Sequence, residues 1–146
     1  MKTHRNRPKV LVVEDYPDAR ELYEQYLAHK GFHVESARDG HEALAAAAAH
    51  HPDVILMDLS MPGLDGWEAT RRLKADPATA DVPIVAVTGH ALAGQDVAAR
   101  NAGCDAYVTK PCLPQDLVEI VRAILRDRAG KHRAAGAAVS RRGAGT

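Results

Sequence analysis

Residues 53–66 have the sequence DVILMDLSMPGLDG, in which four consecutive apolar residues lead directly into an aspartate, Asp58. A short apolar run of this kind, bounded by polar residues, is typical of a buried strand. Because the run is apolar on both faces, it favours a parallel sheet that is covered by helices on each side. Asp58 then stands at the carboxyl end of the strand, which is where ligands bind in open parallel sheets.

Apolar runs of the same kind recur along the chain and alternate with helical patterns. The predicted strands are residues 10–13, 33–36, 54–57, 84–87 and 106–109. Helices are predicted, mainly from apolar spacing at i, i+3 and i+4 and from alanine content, at 19–27, 42–50, 65–74, 95–102 and 117–125. Five strands and five helices in strict alternation predict a single α/β domain with a mostly parallel sheet.

The length and composition are those of one soluble globular domain. The chain has 146 residues, of which 46% are apolar and 26% charged, and its 2 cysteines are too few for a disulfide scaffold. The formal net charge is +0, which argues against a dedicated nucleic-acid binder, because such folds normally carry a basic excess. No apolar run approaches the roughly 20 residues that cross a bilayer. The basic N-terminus also lacks an apolar signal core, so we expect a cytoplasmic protein.

The two ends of the chain differ from its body, which we place at residues 8–128. Residues 1–7 form a short basic arm, whereas residues 129–146 combine Ala, Gly, Ser and basic residues with one large apolar residue, Val139. So few apolar groups cannot offset the entropy of ordering, and we therefore predict that the tail is disordered. One interpretation of the tail is a basic arm that contacts nucleic acid or an acidic partner. The other is a solvated tail or linker, and the composition favours this second interpretation.

Polar residues follow four of the predicted strands. They are Glu14 and Asp15 after the first strand, Asp58 after the third, Thr88 after the fourth, and Lys110 after the fifth. A single acid in such a place is often only a helix N-cap or a turn residue. Because the carboxyl ends of neighbouring parallel strands meet at one edge, the full set instead predicts a cluster of three carboxylates, a hydroxyl and an ammonium.

Such a cluster needs positive charge. Two unit charges about 4 Å apart repel by roughly 4 kcal/mol at an effective dielectric constant near 20. Lys110 supplies one cation, and a divalent metal would supply the rest; ligands that are all oxygen favour Mg²⁺ over Zn²⁺. Since Mg²⁺ also binds phosphate oxygens, this chemistry suits phosphoryl transfer to a carboxylate. Asp58 would be the nucleophile, Glu14 and Asp15 would hold the metal, and Lys110 and Thr88 would meet the phosphoryl oxygens.

With these residues in place, the chain resembles the receiver domain of bacterial two-component response regulators, of the chemotaxis-regulator type. Four separate motifs carry the resemblance, namely VLVVED at 10–15, DVILMDLSMPGLDG at 53–66, PIVAVT at 83–88 and GCDAYVTKP at 103–111. Their order and spacing extend the resemblance from about Lys9 to Asp127. It implies a flavodoxin-like, doubly wound sheet of five parallel strands in the order 2-1-3-4-5 with five helices.

The resemblance also implies a reaction. Asp58 would accept a phosphoryl group from a phosphohistidine on a sensor histidine kinase or a histidine phosphotransfer protein, with Mg²⁺ or Mn²⁺ as cofactor. The chain would catalyse only its own phosphorylation and dephosphorylation. The implied metal ligands are Asp15, Asp58, the backbone carbonyl of Ser60 and, through water, Glu14. Lys110 would pair with the phosphate, and the bond between Lys110 and Pro111 would be a cis peptide.

A switch is implied as well. On phosphorylation the Thr88 hydroxyl would move to the phosphate, and Tyr107 would rotate into the space left behind. The face made by the fourth helix, fifth strand and fifth helix would then bind a downstream protein, which the sequence does not name. Whether that face also forms a homodimer stays open. From the residues alone, Tyr107 could equally be an aromatic residue of an outer strand that packs on a helix.

Four alternatives to a stand-alone phosphorylated receiver have distinguishable signatures. An aspartate-nucleophile phosphatase would have its nucleophile after the first strand and a second acid two residues later, where this chain has Ser60 after Asp58. An interaction module that works without phosphorylation would not need the intact set of site residues. A receiver that belongs to a larger hybrid kinase would share the chemistry and differ only in its context. A transcription factor would need a second folded domain.

Overall fold

The computed structural model describes residues 7–59, 65–89, 94–110 and 112–137, without the side chains of residues 95 and 129–137. Strands and helices alternate along the chain, as the sequence predicts. The strands are β1 (Lys9–Val13), β2 (His33–Ala37), β3 (Val54–Asp58), β4 (Ile84–Thr88) and β5 (Ala106–Thr109). The helices are α1 (Pro17–His29), α2 (Gly40–His50), α3 (Gly66–Ala75), α4 (Gln95–Ala102) and α5 (Pro114–Ala137).

The sheet has the predicted topology. Its five strands lie in the order β2-β1-β3-β4-β5, and every neighbouring pair is parallel. The register places Val13 opposite Met57, Asp58 opposite Val87, and Thr88 opposite Thr109. The carboxyl ends of the four strands that precede the polar residues are therefore level with one another at one edge of the sheet.

Both faces of the sheet are covered, which explains why the strands are apolar throughout. Alternate residues of a strand point to opposite faces. Thus Ile55 and Met57 pack towards α2, α3 and α4, whereas Val54 and Leu56 pack towards α1 and α5. All five residues of β3 are buried. Complete burial of one such aliphatic side chain contributes about 1.5–3 kcal/mol, so β3 is the rigid centre of the domain.

Aspartates begin two of the helices on the α2/α3 face. The Asp39 carboxylate accepts a hydrogen bond from the backbone N–H of Glu42 at 2.9 Å, and Asp65 accepts one from the N–H of Glu68 at 2.8 Å. Each bond satisfies one of the backbone donors that a helix leaves open at its first turn. Asp65, the first residue of the predicted third helix, is therefore its N-cap, and the helix starts one residue later.

The last helix is longer than the sequence suggests. Helix α5 continues to Ala137, so the prediction of disorder is wrong for residues 129–137. Alanine, lysine and arginine are among the best helix formers, and a helix that is already nucleated on the core extends easily through them.

Some sequence predictions fall on residues that the structure does not describe. Residues 1–6 of the basic arm and 138–146 of the tail lie outside the described residues. The same is true of Ser60, a predicted metal ligand, and of Pro111, the second residue of the predicted cis peptide. Among the helices that the structure does describe, none combines the length and apolar character required to cross a membrane.

Candidate functional site

Four strand ends position the polar residues that the sequence predicts to converge. Glu14 follows β1 and is fixed there by its backbone N–H, which donates to the Ala37 carbonyl at 3.0 Å. Asp58 and Thr88 are the last residues of β3 and β4. Lys110 follows β5, and its backbone N–H donates to the Thr88 carbonyl at 2.7 Å. Backbone pairing therefore holds the polar residues in place.

The three acids lie together. Glu14, Asp15 and Asp58 each have one carboxylate oxygen in the cluster, and these three oxygens lie within 4.8 Å of one another. Glu14 is only 3% exposed and Asp58 only 4%, whereas Asp15 is exposed. The cluster is thus a partly buried concentration of negative charge that opens to solvent on the side of Asp15.

Lys110 faces this cluster, and its contact with Glu14 is shorter than its contact with Asp58. Its Nζ lies 2.9 Å from Glu14 Oε1 and 3.6 Å from Asp58 Oδ2. Burial alone would lower the pKa of Lys110, but the hydrogen bond to Glu14 and the charge of Asp58 outweigh it and raise the pKa. The ammonium is therefore held in its charged form.

One lysine does not balance the acids. Burial raises the pKa of Glu14 above its usual value, the charge of Asp58 adds to the rise, and the hydrogen bond from Lys110 reverses it only in part. A raised pKa means that the site disfavours the ionised carboxylate. The site therefore retains an unmet demand for positive charge.

The donor set fits a divalent cation of the magnesium type. The clustered ligands are carboxylate oxygens without nitrogen or sulfur, the set that Mg²⁺ or Mn²⁺ prefers. Glu14 already uses both oxygens within the protein, since Oε1 accepts from Lys110 and Oε2 from the Tyr16 N–H at 3.2 Å. Glu14 is therefore placed to act through water, and the exposed carboxylate of Asp15 is open to direct contact with a cation.

Gly66 also belongs to the site, although the sequence pattern alone does not indicate a role for it. A Cβ at this position would clash with the Asp58 carbonyl oxygen and would lie 2.7 Å from Leu59 Cα. Only glycine lets the first turn of α3 lie this close to the backbone of the proposed phosphoacceptor. The available signal was a glycine directly after a capping aspartate, Asp65.

Tyr23 also borders the site, although the sequence identified it only as part of the apolar face of α1. Tyr23, Glu14 and Asp58 line one cavity of about 10 Å³, which is close to the space of one water molecule. The Tyr23 hydroxyl donates to the Cys112 carbonyl at 3.5 Å, just beyond Lys110 in the chain. Burial raises the pKa of Tyr23, so its hydroxyl stays protonated.

The residues of the predicted switch are close in register. Thr88 is buried at the end of β4. Tyr107 of β5 lies opposite Ala86 of β4, two residues before Thr88. Tyr107 is half-buried and packs against the core on the α3/α4 face. The short helix beside it, α4, is flanked by Gly94 and Gly103, both with positive φ.

Comparison with known proteins agrees with this geometry. The profile of the response regulator receiver domain family matches residues 10–122. The chain belongs to the response regulator receiver domain family. This receiver is 36% identical over 118 residues to the polar-differentiation response regulator DivK of Brucella ovis, covering 81% of this chain and 96% of that protein. Solved structures also match most of the chain.

A CheY-like receiver domain protein of Methanospirillum hungatei matches the receiver with a TM-score of 0.80 at 28% identity, covering 86% of this chain and 99% of the other. The receiver domain of a signal transduction histidine kinase from Syntrophus aciditrophicus matches with a TM-score of 0.75 at 31% identity, covering 82% and 91%. Family membership confirms the fold and the signalling class. Receivers of response regulators are signalling proteins rather than classical enzymes, so the comparison disfavours the phosphatase alternative.

Proposed function

We propose that this receiver accepts a phosphoryl group on Asp58 from a phosphohistidine of a sensor histidine kinase or a histidine phosphotransfer protein. The observation that carries the proposal is the position of the Asp58 carboxylate. It is buried at the end of the central strand, within reach of Lys110 and of two further acids. The free cysteines, Cys104 and Cys112, agree with a reducing compartment, and we place the reaction in the cytoplasm.

In the proposed reaction a carboxylate oxygen of Asp58 attacks the phosphorus atom of the donor. The bond between phosphorus and the imidazole nitrogen breaks, and its electron pair stays on the imidazole. Lys110 stabilises the negative charge on the transferred group by its ammonium, and the Thr88 hydroxyl donates a hydrogen bond to it. Mg²⁺ or Mn²⁺, when held by Asp15, Asp58 and the Ser60 carbonyl, supplies further positive charge to the phosphoryl oxygens. Hydrolysis of the acyl phosphate later restores Asp58.

The proposed output is a switch between two packings. The Thr88 hydroxyl turns to the phosphoryl group, and Tyr107 moves inward beside it, which alters the face formed by α4, β5 and α5. Short α4, with glycines at both ends, is the element whose packing can change at the lowest cost. A downstream protein, or a second copy of the receiver, would bind the altered face.

Mass spectrometry of the intact receiver tests the proposal. Incubation with acetyl phosphate or phosphoramidate and Mg²⁺ should add the mass of one phosphoryl group. Asp58→Asn should abolish the gain, while Asp81→Asn, at an aspartate that is 76% exposed in another part of the fold, should leave it unchanged. Phosphorylation that persists in Asp58→Asn would assign the reaction to another residue. A wild-type chain that both donors leave unmodified would favour an interaction module that works without phosphorylation.

A second context is a receiver within a larger hybrid kinase. The likeness to the receiver domain of the Syntrophus kinase favours it specifically. The chemistry at Asp58 would be the same, but the phosphoryl group would come from the histidine of the same polypeptide. Faster phosphorylation by a covalently linked kinase than by the separate kinase would distinguish this context.

A further inference from the structure

A basic groove lies at the end of the sheet opposite to Asp58. It is bounded by the chain that enters β1, the turn between α1 and β2, and the outer part of α5, and it has a volume of about 340 Å³. Pro8, Phe32 and Leu125 give it apolar walls, and Lys30, Arg122 and Arg126 give it charge. Since all strands are parallel, a groove at their starts is separate from the phosphorylation site at their ends.

The charges in this groove are of one sign. Arg122 and Arg126 are one helical turn apart, a spacing at which like charges repel, and no carboxylate belongs to a described residue that lines the groove. Elsewhere in the described chain Arg38, Arg72 and Arg128 each pair with a carboxylate. The two groove arginines form no such ion pair there. The third cation, Lys30, lies with its Nζ 5.4 Å from the centre of the Tyr26 ring. Arg122 and Arg126 are therefore the cations that the groove keeps available to an anionic ligand, and Lys30 adds its charge beside them.

A second hollow continues the groove. It has a volume of about 400 Å³, shares Phe32 with the first, and is lined by Arg7, Glu24 and His33 together with Val34 of β2. Its charges are mixed rather than basic. The two hollows together offer far more space than a single phosphate or carboxylate group fills, and only the first hollow is strongly cationic.

We propose that the two hollows together bind an extended peptide of a partner protein. Acidic residues of the peptide would lie over Lys30, Arg122 and Arg126, and an apolar side chain would contact Leu125. Mixed residues would continue past Phe32 into the second hollow. This places a second binding site on the receiver, which can be occupied independently of Asp58.

The same observations argue against a nucleic acid as the occupant. Single-stranded nucleic acids bind where aromatic rings are open for stacking, but Phe32 is only 5% exposed. Glu24 in the second hollow would repel a continuous phosphate backbone. The net charge of the whole chain is +0, which gives no general attraction for a polyanion.

Fluorescence anisotropy with the full chain tests the proposal. The probe is a short labelled synthetic peptide with an acidic half, a central leucine and a neutral half. The double variant Arg122→Gln/Arg126→Gln should weaken its binding about two- to thirtyfold, because each of the two exposed charge contacts contributes about 0.2–1 kcal/mol. Arg71→Gln/Arg72→Gln on α3 makes the same change in net charge and should leave the affinity unchanged. Circular dichroism checks that both variants are folded.

The site must also be located. Amide resonances of Gly31 and Phe32 should shift on titration with the peptide, in wild type and in Asp58→Asn alike. Three outcomes would overturn the proposal: no saturable binding, equal weakening by both double variants, or tighter binding of a single-stranded oligonucleotide of the same charge. The last would identify the groove as a nucleic-acid site.

Discussion

At the scale of single residues, the site is defined by an imbalance between Lys110 and the acids that face it. The sequence predicts that these groups converge, because each follows a strand. It does not predict that the ammonium lies closer to Glu14, at 2.9 Å, than to Asp58, at 3.6 Å. That preference depends on how far each strand end projects, which alternation of strands and helices leaves undetermined.

The raised pKa of Glu14 predicts a definite pH dependence of stability. The folded state binds the proton of the Glu14 carboxyl group more tightly than the unfolded state does. The contribution of Glu14 to the free energy of unfolding therefore falls as the pH rises above 4.5, the ordinary pKa of a glutamate. Glu14→Gln removes the titrating group. The free energy of unfolding of the variant, relative to wild type, should therefore increase from pH 4.5 towards the raised pKa. Urea denaturation with chelator present, at several pH values, measures this difference.

Glu42 provides the matched control. Its hydrogen bonds to Arg38 lower its pKa, so its contribution to stability is present above its ordinary pKa and is lost as pH falls through the lowered value. The free energy of unfolding of Glu42→Gln, relative to wild type, should therefore decrease with rising pH, which is the opposite of the change expected for Glu14→Gln. Equal slopes for the two variants would show that the environment of Glu14 does not disfavour its charge.

At the scale of secondary-structure elements, most of the fold was predictable. All ten predicted elements are present, because continuous apolar runs and helical spacing are local signals. The end of α5 was not predictable from apolar content, since good helix formers carry it to Ala137. The approach of α3 to β3 was not predictable either, because it depends on how the loop between them closes.

That approach gives a prediction for Gly66. Gly66→Ala should destabilise the receiver by about 1–3 kcal/mol, because the new methyl group meets the backbone of Asp58 and Leu59, which cannot move as a side chain would. It should also slow phosphorylation, since the backbone that positions the Asp58 carboxylate must shift. Thermal unfolding and the mass-spectrometric time course measure the two effects.

Gly89→Ala is the control for this variant. Gly89 follows Thr88 near the same edge of the sheet, but a Cβ there meets no described atom within 4 Å. Its effect on stability should stay within about 0.5 kcal/mol. If Gly66→Ala were equally harmless, the close packing of α3 against β3 would not constrain the site.

At the scale of the whole molecule, the unmet charge at one end of the sheet should link cation binding to global stability. A ligand that binds only the folded state at about ten times its dissociation constant adds about 1.4 kcal/mol to the free energy of unfolding. For a domain of this size Mg²⁺ should therefore raise the midpoint of thermal unfolding by roughly 3–8 °C. Differential scanning calorimetry with and without Mg²⁺ measures the shift.

The variants decide where the cation acts. Asp15→Asn should remove most of the shift, because Asp15 is the exposed member of the acidic cluster. Asp18→Asn deletes the same charge three residues further along, outside the cluster, and should retain the shift whatever it does to the starting midpoint. A shift that survives Asp15→Asn but not Asp18→Asn would place the cation at the start of α1. The Asp58 edge would then lose its role as the centre that binds positive charge.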